Sequence, residues 1–178
     1  LEESDIFATL VLVYDSLNDT ARRDFVSAML NAKEVYSKPA NGNLLTYALK
    51  NGKMDLAGQV IANADNLDVK FAMNEVLSKC PDGSSKGESI ERLFATGEIK
   101  QEDKPLIENY LSTSHDAVST KAVILASGLN CGIRINLDLI IDSVLKNAAS
   151  EHVNRVLTAY CKEKLCDEDV VRILSFAF

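Results

Sequence analysis

Paired aliphatic positions return along this chain at a nearly constant interval. Leu12-Val13, Leu44-Leu45, Val76-Leu77, Leu106-Ile107 and Ile140-Ile141 stand 32, 32, 30 and 34 positions apart. Around each pair the apolar residues follow helical rather than alternating spacing, so each pair reads as opening a helix, followed by a turn and a second apolar helix. A hairpin this short cannot bury its own apolar stripe, and its neighbours must complete the core. The pattern therefore predicts an all-α chain, a right-handed or curved α-solenoid of about five stacked helical hairpins. Residues 1–178 are read as one helical-repeat domain. The opening Leu1, in place of Met, makes a fragment of a longer protein the expectation.

The clearest unit runs from Leu44 to Ala64. Leu44, Leu45, Ala48 and Leu49 form one apolar face, Asn51-Gly52-Lys53 the turn, and Leu56, Ala57, Val60 and Ile61 the facing stripe. Helices of about ten residues are marginal alone because nucleation is costly, so stacking must hold them. Each buried Leu or Ile contributes about 1.5–3 kcal/mol to that stacking. Ile140 to Tyr160 repeats the design 96 positions later, with Lys146-Asn147-Ala148 at the turn. Asn18 or Asp19 is the expected N-cap of a helix running to about Val35, and Ser114 that of the helix carrying Val118, Ala122 and Val123, with Asp116 near its positive end. Pro39-Ala40-Asn41-Gly42 reads as a break, and Cys80 through Gly87 as an enlarged turn. A last helix is expected from Asp167, ending at Phe176 and Phe178.

The segment Asn43 to Asp55 resembles the first helix and turn of an ankyrin repeat. Ala48, Asn51-Gly52 and Val60-Ile61 fall where that family places its small residue, its turn and its paired aliphatics. The family's Thr-Pro-Leu-His entry is absent, and Leu44-Leu45-Thr46-Tyr47 stands in its place. The stretch Gly52-Lys53-Met54-Asp55 is also similar to the turn of pentatricopeptide repeats. That second resemblance implies binding of single-stranded RNA, whereas the first implies a protein partner.

Composition sharpens the choice. Apolar residues make up 47% of the chain and charged residues 25%, which is globular. The net charge of −7 is spread evenly, a poor match to a phosphate backbone, so nucleic acid is disfavoured as the main partner. No apolar run approaches the ~18 residues of a membrane span. Four cysteines (Cys80, Cys131, Cys161 and Cys166) are too sparse for a disulfide scaffold and imply an intracellular setting, cytoplasmic or nuclear.

Candidate chemistry is thin. Cys161 and Cys166 with His152 lack the tight spacing of zinc ligands, and Cys161 reads as a core thiol. His115 beside Asp116, Ser112 and Ser114 reads as a helix cap rather than a nucleophile and base. Gly83-Ser84-Ser85-Lys86-Gly87 misses the phosphate-loop spacing and reads as a flexible turn. No catalytic residue, cofactor or metal is expected. Surface charge supplies the remaining candidates for partner contact: the basic Arg22, Arg23, Lys50 and Lys53, the acidic edge of Glu98, Glu102 and Asp103, and His115 in its turn. The expectation is a non-enzymatic interaction scaffold or adaptor for a protein or peptide, with self-association through an uncapped apolar end left open.

Overall fold

The computed structural model describes residues 3–30, 38–64, 66–162, 171, 172 and 175. Regular structure among the described residues is helical, with no strand. The chain divides into two compact units, Leu1–Cys80 and Pro81–Phe178.

The first unit holds α1 (Glu3–Ser16), α2 (Asp19–Leu30), α3 (Lys38–Lys50), α4 (Met54–Asn63) and α5 (Val69–Lys79). Here α1 packs on α2 and α3 on α4, while α2 meets α4 and α3 meets α5. The second unit holds α6 (Ser84–Ala95), a 3-10 turn (Gln101–Asp103), α7 (Lys104–Thr113), α8 (Val118–Asn130), α9 (Leu137–Ile140) continued by a π-helical turn (Ile141–Leu145), and α10 (Ser150–Tyr160). Here α7 packs on α8 and on α9, α6 and α10 both pack on α8, and the π-helical turn meets α8 and α10. In each unit helices touch the neighbour in sequence and the next but one, as side-by-side hairpins do.

The repeated aliphatic pairs mark α1, α3, α5, α7 and α9, but only Leu106-Ile107 falls in a first turn with its helix continuing beyond it. Val76-Leu77 ends α5, and Ile140-Ile141 bridges α9 and the π-helical turn. Leu44, Leu45, Val76, Ile107, Ile140 and Ile141 are buried, whereas Leu12 and Val13 are exposed. In α1 the inward residues are Phe7, Val11 and Tyr14, at helical spacing one step out of phase with the repeat. The period thus located the helix but misassigned its face.

Turn chemistry is the most faithful part of the reading. Gly52 has φ of 68° and ends α3 in a Schellman arrangement. The Lys53 N–H donates to the Ala48 carbonyl at 2.9 Å, and the Gly52 N–H to that of Leu49 at 3.2 Å. Gly132 ends α8 in the same way, with the Ile133 N–H on the Gly128 carbonyl at 3.0 Å and the Ile133 side chain buried. Asn18 caps α2 by accepting from the Ala21 N–H at 3.0 Å, and Asp68 caps α5 through the Phe71 N–H.

Two expected irregular stretches are helical instead. Pro39 to Gly42 lie inside α3, because proline at the second helical position gives up an N–H that has no intrahelical partner there. Residues 84–87 form the first turn of α6, with Lys86 and Gly87 buried. The expected last helix falls largely outside the described residues, as do the Phe termini and the run of α2 beyond Leu30.

Candidate functional site

In the second unit, the lead-in to α6 and the start of α8 are held together by polar side chains. Asp82, just before α6, accepts from the Ala117 N–H at 2.6 Å and from Thr120 Oγ1 at 2.5 Å. It thereby takes over the opening of α8 that Ser114 was expected to cap. Ser114 instead ends α7, and its hydroxyl accepts from the Asp116 N–H at 3.0 Å. The Asp116 carboxylate turns inward to Lys86, whose Nζ lies 2.5 Å from Oδ2, and accepts also from the Tyr110 hydroxyl. Lys86 Nζ sits 5.0 Å from the centre of the Tyr110 ring.

Burial by itself works to raise the Asp116 pKa. The hydrogen bonds from Lys86 and Tyr110 outweigh it and hold the carboxyl below its usual value. Burial, then the hydrogen bond to Asp116, pushes the Tyr110 hydroxyl well up.

With the helix starts fixed, α6 can approach α8 closely along its first turns. A Cβ on Gly87 would lie 3.4 Å from Val123 Cγ1, in van der Waals contact, so α6 and α8 leave room there for a methyl and little more. Because α10 packs on the other flank of α8, a groove of ≈ 330 Å³ is left between them. Its floor is Ser119, Thr120 and Val123 of α8. One wall is Gly83, Ser84, Gly87, Glu88 and Glu91, and the other is His152 and Arg155. Arg155 donates to Glu91 across the groove. Glu88, one turn earlier on α6, is exposed, and its carboxylate has no hydrogen-bond or ion-pair partner among the described residues. His152 Nε2 lies 3.4 Å from Glu151. Small side chains, aliphatic stems and a few separated charges suit recognition of a short peptide surface.

The residues singled out from sequence lie elsewhere. In the first unit, Arg22 and Lys53 converge on the end of α1. Arg22 donates from Nε to the Tyr14 carbonyl at 2.9 Å and from an Nη to that of Asp15 at 3.1 Å, with its guanidinium 5.1 Å from the Tyr14 ring centre. Lys53 Nζ is 2.5 Å from Asp15 Oδ2. Positive charge at a helix C-terminus is stabilising, so these two side chains serve the fold. Arg23 and Lys50 are exposed. In the second unit, Glu98, Glu102 and His115 are exposed, and Asp103 accepts from the Lys100 N–H at 2.9 Å. None of the eight lines the groove.

Cys161 is exposed at the end of α10 rather than in the core, because the helix stops one residue before it. Cys166 lies outside the described residues, and no three metal-ligating side chains gather among those described. The groove itself was missed because its wall was read as a loop. One signal was available: Ser84, Gly87, Glu88 and Glu91 stand at helical spacing, which places them on one side of a helix.

No family model, curated protein or solved structure matches the chain. No helix among the described residues is long and apolar enough to cross a membrane.

Proposed function

We propose that this chain is a non-enzymatic helical-hairpin module, stacked as a solenoid, that binds a protein or peptide segment. The observation that carries the reading is the groove over α8, open along the flanks of α6 and α10 and floored by small side chains. Stacked hairpins offer such surfaces by their architecture. The buried polar groups beside it are engaged in holding helices together. Two carboxylates in the wall oppose a phosphate chain, which favours a protein partner over the single-stranded RNA of the pentatricopeptide resemblance. Sparse cysteines fit a cytoplasmic or nuclear setting.

The test is selection of a phage-displayed random 12-residue peptide library on the 178-residue chain, with Ser119→Trp as the counter-target. Clones that bind the native chain and lose binding when the indole fills the groove support the reading. Failure to enrich any clone, or equal binding to both proteins, overturns it. A single-stranded RNA pool that bound at low salt, and that S119W released, would put the RNA reading in its place.

A further inference from the structure

The two carboxylates of the groove wall differ in one respect that bears on what the groove accepts. Glu91 already holds a guanidinium, that of Arg155 reaching over from α10. Glu88 lies three residues earlier on the same helix, so it projects from the same side about one turn away. It lines the same groove and makes no hydrogen bond or ion pair among the described residues. The chain thus displays one filled carboxylate–cation site and, beside it, an equivalent empty one. Between Glu88 and the α8 floor lie Gly87 and Val123, which leave an aliphatic shelf.

We infer that the groove selects a basic peptide segment, with an Arg or Lys side chain seated on Glu88 and a small aliphatic residue resting on Val123 between Gly87 and Ser119. Three observations point the same way. The wall carries a carboxylate outside any ion pair, the floor of Ser119, Thr120 and Val123 leaves room beside it, and the whole chain carries a net charge of −7 that steers cations toward it. The Arg155–Glu91 pair spans the groove from wall to wall. An acidic segment would meet two carboxylates with the one guanidinium already taken.

This inference rests on the peptide-binding reading and is tested so that the two can fail separately. Peptides enriched on the native chain and released by S119W are synthesised with a fluorescent label, and their affinities are measured by anisotropy against the native chain, Glu88→Gln and Glu88→Lys. Circular dichroism checks that each variant keeps its helix content. The expected result is a consensus with Arg or Lys beside Ala, Val or Ser. Binding should weaken about threefold in E88Q and about tenfold in E88K, with recovery when the peptide's basic residue is exchanged for Glu. Enriched peptides that are neutral or acidic, or whose affinity is unchanged in E88K, overturn the basic-segment inference and leave the groove reading standing. A library that yields no groove-dependent clone removes both.

Discussion

The two units differ at one buried polar side chain each: Lys86 in the second is satisfied, and Asn41 in the first is not. In the second unit Lys86, 3% exposed, is surrounded by partners: the Asp116 carboxylate and the face of the Tyr110 ring. In the first unit Asn41, 1% exposed, has neither its amide nitrogen nor its carbonyl oxygen hydrogen-bonded. It shares the inward side of α3 with Leu44, Leu45 and Ala48, where an apolar residue would be the simpler choice. A satisfied charge can order several elements at once, whereas an orphaned amide opposes the packing around it. Lys86 thus ties α6 to α7 and the lead-in to α8, as Glu75 ties α5 to α3 in the first unit, whereas Asn41 ties nothing.

The largest expected effect follows from breaking the satisfied cluster. Lys86→Met leaves Asp116 and Tyr110 without their cation and should cost about 2–4 kcal/mol, below the fully buried range because Asp116 keeps some solvent access. Urea denaturation followed by circular dichroism measures it. A loss under about 1 kcal/mol would place this pair among ordinary surface bridges. Pairing Lys86→Met with Asp116→Asn should recover part of the loss, since the stranded charge is then removed.

Acid probes the same cluster without mutation. The Asp116 carboxyl is held low, so its contribution is present above its unfolded pKa near ~4 and is lost as the pH falls through the folded value. Glu75 in the first unit behaves alike: burial raises its pKa, and hydrogen bonds from Lys79 and Thr46 bring it below the usual value. Denaturation midpoints between about pH 7 and about pH 3 should decline for the native chain and decline less for Asp116→Asn. Identical slopes would deny the cluster its role.

Relief of the orphan is the converse experiment. Asn41→Leu should raise stability by about 1–2 kcal/mol, because the desolvated amide is exchanged for an apolar side chain of the same branched shape. A destabilised variant would mean that the amide has a partner in solution. The smallest effect is expected at the turns common to both units. Gly52→Ala and Gly132→Ala force a Cβ into the left-handed region and should each cost about 1 kcal/mol. Equal losses would confirm that turn chemistry, unlike the polar interior, is shared.

Legibility from sequence tracked the range of the interaction. The Asn51-Gly52 turn and the Asn18 cap depend on residues within one helical turn, and both were read correctly. Asp82 opens α8 from 35 positions away, and its partner is a backbone N–H that any residue could supply. Gln101 and Glu108 likewise accept from the backbone N–H groups of Arg134 and Asn136. Such ties leave no pairwise signature in the sequence. The basic cluster shows the reverse case. Of its four members, Arg22 and Lys53 meet at the C-terminal end of α1, where their charge is absorbed, while Arg23 and Lys50 are exposed.

The order of apolar and polar residues by itself determined that this chain is helical, how often a helix begins anew, and where glycine must end one. Those outcomes follow from backbone geometry and side-chain spacing within a few residues. The tertiary structure alone decided which side of α1 faces inward, that Gly87 lets α6 lie against Val123, and that Glu88 stands without a counter-ion beside a groove. Each depends on what another helix, distant in sequence, brings to the same few ångströms, and local periodicity carries no information about that.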